Sequence, residues 1–388
     1  MTALGARRRP DPPPHVCTFF RLRGRAGASS PQLRRTRTLA VVVALLAAFG
    51  VTGVASAAVP PHADLNPLLA AEWWLRGNMI VSDYVGGRRS SDGVDAIGAW
   101  PTTSGEGVVV AVVDSGLDLT TSPLAGRLLP GRDFITGRTL KSDPLGHGTH
   151  VATIIAGRPQ NSDGIFGVAP DARILPLRVG TARGHVVDTA AAAALRYAAR
   201  NPRVRVINMS WGKERTTVVA RALRAVAANP SLLMVSSAGN DAEEMWSTRL
   251  LPQSFDSANE ITVASTNYFD FLSFFSNFGT HVEVAAPGER ILSAFPGGML
   301  YLADGTSMSA PIVSGVAALL FGRYPQATGA QVKQAIVSSC TQAADLIGRV
   351  GCGGIVNAPA ALEALGVLVR AGPEPRPTLG AVVGSGGS

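Results

Sequence analysis

The sequence lacks the common signatures of metal and redox chemistry. Its 388 residues contain three cysteines, with no C-x-x-C pair and no His/Cys cluster, which argues against a structural zinc. Two of the six histidines, His147 and His150, stand one helical turn apart, but the H-E-x-x-H spacing and its glutamate are missing. The surroundings of Ser307 lack the G-x-S-x-G elbow, which argues against an esterase of the strand–elbow–helix kind. No internal repeat is visible, so a solenoid or propeller is not indicated.

Basic charge is also missing from most of the chain. The formal net charge is +8, yet residues 1–38 alone hold nine arginines against a single acid, Asp11. Residues 39–58 carry no charge, so the remainder is close to neutral. The basic pI belongs to the leader, and nucleic acid is not expected as a partner. Arg34, Arg35 and Arg37 precede the apolar run 39-LAVVVALLAAFGVTGV-54 and the small-residue stretch 55-ASAA-58. That is the form of a secretory signal peptide, and the apolar run is short for a membrane span of roughly 20 residues. An uncleaved anchor is the alternative. With Cys17 in the leader, Cys340 and Cys352 remain in an exported chain, and one disulfide between them is expected. The expected divisions are a leader at 1–58, an N-terminal extension or short pro-segment at 59–95, a catalytic domain at 96–368 and a Pro/Gly/Ser-rich disordered tail at 369–388.

From residue 107 apolar strand candidates alternate with helical stretches. The strands are 108–114, 173–179, 204–210, 231–237, 260–265 and 282–286. The helices are 147–157, 186–200 and 216–229, followed by three more near 306–323, 329–338 and 358–365. The strands read as short continuous apolar runs, the mark of a parallel sheet covered on both faces. The fold class is therefore α/β, a doubly wound, mostly parallel sheet flanked by helices on both faces, with ligand chemistry at the carboxyl ends of strands.

Several polar residues sit at those ends. Asp114 closes the run 108-VVVAVVD-114; taken alone it reads as an ordinary turn residue. His147 lies between Gly146 and Gly148 at the mouth of an apolar helix, where small neighbours allow close approach to the ring. His150, one turn on, reads as structural, buried and hydrogen-bonded. Ser307 stands in 304-DGTSMSAPIVSG-315, where Thr306 or Ser307 could simply cap a buried helix. A serine hydroxyl becomes a nucleophile when a histidine takes its proton and a carboxylate orients that histidine. Helix-start amides suit a developing negative oxygen, and Asn240 in 236-SSAGND-241 offers a side-chain donor to the same oxygen.

Taken in order, VVDSGLD, GHGTHVA, INMSWG, SSAGND and GTSMSAP resemble the subtilisin-like (subtilase) serine endopeptidases. The resemblance runs from about Trp100 to Leu365. It implies a triad of Asp114, His147 and Ser307, with Asn240 as the side-chain oxyanion donor. It also implies polypeptide substrates bound as an extended strand beside Ser210, Trp211 and Gly212 and beside Gly180, Thr181 and Ala182. The first pocket would be lined near Ser237, Ala238 and Gly239. Leu250 in its floor would favour apolar side chains, whereas Asp241, Glu243 and Glu244 would favour basic ones.

The chain departs from the family in two places. Relatives often carry a calcium-binding acid where this chain reads 121-TSPLAG-126. The loop 157–167 resembles a calcium loop and keeps Asn161 and Asp163, but calcium needs six to eight oxygens. No metal or cofactor is expected to be required, with calcium at this loop as the alternative. The region between Ala58 and Trp100 is too short for a full inhibitory pro-domain. The expectation is a secreted, monomeric serine endopeptidase, free of the membrane once mature. Its alternatives are an inactive binding module on the same fold, or a processing protease dedicated to one secreted partner.

Overall fold

The computed structural model describes residues 72–76, 79–82, 88–91, 93–158, 164–245 and 250–371. The leader, the expected tail from 372 on, and the loop residues Asn161 and Asp163 lie outside the described residues. Within them, no helix is long and apolar enough to cross a membrane.

Six strands form the centre of one sheet: β1 (Val109–Asp114), β2 (Arg173–Arg178), β3 (Val204–Met209), β4 (Leu233–Ser237), β5 (Glu260–Thr266) and β6 (Val284–Pro287). Their spatial order is β6-β5-β4-β3-β1-β2, and every neighbouring pair is parallel. Short strands extend the sheet at both edges. The helices are α1 (His147–Ala156), α2 (Asp188–Arg200), α3 (Thr217–Ala227), α4 (Thr306–Arg323), α5 (Gly329–Ser338) and α6 (Ala358–Ala371). All six expected strands and all six expected helices are present, and α6 runs past the expected boundary at 368.

The continuous apolar character of β1 has a direct cause. Val110 and Val112 face one core, which also contains Val151, Ile154 and most of α4. Val109, Ala111 and Val113 face a second core, built on α2 and α3 with Ala191, Leu195 and Leu223. Alternate residues point to opposite faces of a strand, so a sheet buried twice needs apolar residues at every position. Helix α4 is apolar all round, and every residue from Thr306 to Phe321 is buried. It packs against α1 and across β3, β4, β5 and β6.

The chain order reverses between β1, β2 and β3. Strand β2 lies on one side of β1, and β3 begins the run on the other. In open sheets of this kind the crevice outside the carboxyl ends at such a switch point receives ligands. Asp114 ends β1 and Ser210 follows β3, so the topology alone aims both residues at that crevice.

One feature was not foreseen, and a second bears on the stretch 71-AEWWLRG-77, which looks from its sequence like the start of the mature domain. A hairpin of β7 (Ile291–Phe295) and β8 (Met299–Ala303), turning through Gly297 and Gly298 at φ 78° and 73°, lies against α1. Residues 73–75, which fall in the expected extension or pro-segment, belong to the main core: Trp74 and Leu75 are fully buried. Trp73 packs edge-on against Tyr268 with ring centroids 4.9 Å apart. Trp74 O accepts from Val94 N at 3.0 Å, and Glu72 Oε1 accepts from Phe166 N at 3.0 Å. Burial pushes the Glu72 carboxyl well above the usual carboxylate range. Filling this slot is a packing contribution, so Trp74→Ala is expected to lower the unfolding free energy by about 3–5 kcal/mol, measured by denaturant titration.

Candidate active site

The site is assembled from the end of β1, the start of α1, the segments after β3 and β4, and the first turn of α4. Asp114 is 5% exposed, and its Oδ1 accepts from His147 Nδ1 at 2.8 Å and from Ser115 N at 2.7 Å. His147 is the first residue of α1. Gly146, at φ 87°, makes the turn into the helix, and a Cβ on Gly148 would collide with the Gly116 carbonyl. The two glycines thus let the helix start tightly against the Asp114 turn. Burial alone would lower the affinity of the His147 ring for a proton. The charge and hydrogen bond of Asp114, with the charge of Asp143, outweigh it and hold the imidazole above the ordinary histidine pKa.

Ser307 is the second residue of α4, in the turn whose amides have no intrahelical acceptor. It does not cap the helix, since the N-cap is Gly305. Gly305 has φ 152°, and a Cβ there would lie 3.4 Å from Asn240 Nδ2. The orientation of the Asn240 amide is fixed from behind. Its Oδ1 accepts from Thr306 N at 3.0 Å and from Thr306 Oγ1 at 2.8 Å. With the oxygen so occupied, Nδ2 is the end left for a ligand beside the first turn of α4.

A proline inside α4 shapes the other side of Ser307. Pro311 has no N–H to give the carbonyl four residues earlier, which is that of Ser307. Ser210 Oγ fills the gap, donating to Ser307 O at 2.9 Å, while Ser307 Oγ donates to Ser210 O at 3.2 Å. Behind them Asn208 Nδ2 donates to Ser210 Oγ at 3.1 Å, and Ser314 Oγ donates to Asn208 Oδ1 at 2.8 Å. All four residues are buried. The carbonyl freed by Pro311 therefore stitches the end of β3 to the serine.

The remaining expected residues fall around this centre. Gly180 lies against Ser115, its N–H bonded to Asp114 O at 3.2 Å, and it bridges Val186 across the short loop that holds Thr181 and Ala182. Ser237 and Ala238 are buried at the end of β4, and Gly239 N donates to Thr306 Oγ1 at 3.1 Å. Trp211 is only 8% exposed, and its indole N–H donates to Val113 O at 2.8 Å, so its side chain belongs to the core under β1 and only its main chain borders the crevice. Leu250 is half-buried and pairs with Glu214 beyond Gly212, whereas Asp241, Glu243 and Glu244 are exposed. Cys340 and Cys352 are joined in a disulfide with Cα atoms 6.5 Å apart. Among the described residues no group of His, Cys, Asp and Glu side chains is arranged to hold a metal ion.

The reading of the residues missed Asp143 and the Asn208–Ser314 pair. Asp143 precedes the helix start by too many positions to look like a cap. Asn208 lies inside a strand, where a buried amide shows only as a polar interruption of an apolar run.

Residues 105–353 match the model of the Subtilase family. The chain is 38% identical to a thermophilic serine proteinase from Bacillus sp. (strain AK1) over 255 residues, covering 65% of this chain and 60% of that protein. It is 37% identical to thermitase from Thermoactinomyces vulgaris over 227 residues, covering 58% of this chain and 79% of that one. Among solved structures, a protease from Pseudoalteromonas arctica superimposes with a TM-score of 0.65 at 27% identity, covering 77% of this chain and 98% of its own.

His150 yields a prediction about stability. It is fully buried, its Nε2 bonded to Tyr301 O at 3.1 Å, and burial with the neighbouring His147 pushes its pKa down to about 4. The unfolded chain binds this proton near pH 6.5 and the folded chain only near 4, so stability present at neutral pH is lost as pH falls through that window. Denaturant titrations should show a His150 contribution to this loss of about 3 kcal/mol between pH 7 and pH 4, absent in His150→Gln.

Proposed function

The chain belongs to the Subtilase family, and on that premise we propose that it is an exported serine endopeptidase in which Ser307 is the nucleophile, His147 the general base, Asp114 the residue that orients it and Asn240 the oxyanion donor. The observation that carries this reading is the convergence of two independent pairs at one crevice. Asp114 holds His147 at 2.8 Å, and Thr306, next to Ser307, holds Asn240 with its amide donor free.

The reaction follows from these positions. The Ser307 hydroxyl, resting on the Ser210 carbonyl, turns its proton to His147 Nε2 as its oxygen attacks the substrate carbonyl. Such bonds are often unformed before substrate is bound. Asp114 keeps the proton on Nδ1, which leaves Nε2 free as the base and stabilises the imidazolium. The carbonyl oxygen takes up negative charge facing Asn240 Nδ2 and the Ser307 N–H at the positive end of α4. His147 then gives its proton to the leaving amine, and an acyl group remains on Ser307 Oγ. Water, deprotonated by the same histidine, attacks that ester and restores the serine.

The substrate is a polypeptide lying extended between residues 210–212 and 180–182, paired through main-chain atoms. With Trp211 turned into the core and both segments rich in small residues, the binding is expected to select little by side chain outside the first pocket. No metal is assigned a step. Export rests on the leader, and the burial of Trp74 and Leu75 in the main core supports processing upstream of Glu72. The inactive binding module is the less favoured reading, because no member of the expected catalytic set is replaced in the sequence.

A fluorophosphonate probe should label wild-type protein at Ser307, located by peptide mass mapping, and should not label Ser307→Ala. Folded protein that stays unlabelled while a control protease reacts would end this reading. Asn240→Ala should keep labelling but lose about 10²–10³ in kcat, a magnitude established for the same kind of donor in a subtilisin.

A further inference from the structure

Asp143 has no part in the steps above, yet its carboxylate ends five hydrogen bonds at the base of the helix that carries His147. Oδ1 accepts from Ser115 Oγ at 2.7 Å, Gly146 N at 2.8 Å and Leu145 N at 3.2 Å. Oδ2 accepts from the N–H and the hydroxyl of Thr149, both at 2.8 Å. The residue is 7% exposed, and among the described residues no lysine or arginine pairs with it.

These bonds lead straight to the catalytic pair. Ser115 Oγ, besides donating to Asp143, accepts from Gly148 N at 3.0 Å. Ser115 N donates to Asp114 Oδ1, the same oxygen that holds His147 Nδ1. One buried side chain thus joins the turn after β1 to both glycines that flank the histidine. A buried charge without a cation is costly unless several donors surround it. All five partners here are donors, and an asparagine in this place would face two of them with an NH₂ group.

We propose that Asp143 is a positioning residue of the triad: its hydrogen bonds fix the start of α1 against the Asp114 turn, and its charge favours the imidazolium that forms when His147 takes the Ser307 proton. The inference rests on His147 being the general base. The titratable groups around that ring are Asp114 from β1, Asp143 from the loop before α1, and His150 one turn along, whose low pKa keeps it neutral at ordinary pH. Of these, only the two carboxylates raise the ring's affinity for a proton, and Asp143 can be neutralised without breaking the Asp114–His147 bond.

The test compares the full-length wild type with Asp143→Asn on a peptide amide substrate across pH, with active sites counted by fluorophosphonate labelling. Per labelled site, kcat should fall about 10- to 100-fold, as expected for a slight misplacement of the base, with KM little changed. The acid limb of kcat/KM should move to lower pH, because a histidine relieved of a nearby negative charge loses its proton more readily. A variant with fewer labelled sites but unchanged kcat and unchanged acid limb per site would show a purely structural residue and overturn the proposal.

If Asp143→Asn does not fold, Ser115→Ala and Thr149→Val decide instead, because each removes part of the clamp and leaves the charge. In these variants kcat per site should fall several-fold with the acid limb in place, and unchanged kcat in both would overturn the proposal. A folded wild type that neither labels nor cleaves would remove the premise itself, a failure recognisable before any variant is made.

Discussion

The structure depends on placing one almost wholly buried helix, α4, under a sheet that is itself buried on both faces. Its burial from Thr306 to Phe321 leaves its first turn with backbone groups that water cannot reach. Each of these groups needs a partner, and those partners form the site. The Thr306 amide is met by Asn240 and the Ser307 carbonyl, released by Pro311, by Ser210. The demands of helix termination and of catalysis thus fall on the same side chains. This explains why the serine sits among small residues at the mouth of an apolar helix: bulk there would displace the asparagine and the loop after β3, which complete both.

Much of this was legible in the sequence, because a doubly covered parallel sheet leaves a strong mark. Val109 to Asp114 is apolar at every position until the carboxylate, and the same rule located the other five strands. The expected triad positions came from the resemblance of five ordered motifs to the subtilases, since Asp114, His147 and Ser307 each read alone as ordinary strand-end or helix-start residues. The β7–β8 hairpin was passed over, although Gly297–Gly298 between apolar runs is a turn signal. Its first strand is buried and its second mostly is not, and the two read as a connection on the way to Ser307. Residues 73–75 carried no periodicity, since three side chains filling a slot repeat nothing. Segment 210–212 is expected to pair with substrate through main-chain atoms, and the Trp211 indole takes no part in that, since its single N–H goes to Val113 O beneath the sheet.

The hairpin accounts for the different fates of two histidines on one helix. Ser293 Oγ donates to His150 O at 3.0 Å, and Tyr301 O meets His150 Nε2, so β7 and β8 cover that residue and offer its ring only neutral main-chain groups. Desolvation without a negative charge keeps the ring neutral. His147, a turn earlier, is slightly exposed and faces two carboxylates, and the balance reverses. The partners determine the difference: the first residue of α1 meets the carboxylate at the end of β1, and the residue one turn on meets the main chain of the hairpin.

That asymmetry constrains where charge can lie near the centre. The cationic state of His147 is favoured by carboxylates that are themselves held by hydrogen-bond donors, with no lysine or arginine among the described ion pairs at the site. A cation close by would compete for Asp114 and Asp143 and would oppose the imidazolium. Backbone amides and hydroxyls stabilise the same carboxylates without adding a charge that the transition state must work against. In the mechanism proposed above, the fixed negative charge on one side of the ring and the positive end of α4 on the other would both favour proton transfer from the serine toward the histidine, with the oxyanion at the helix start.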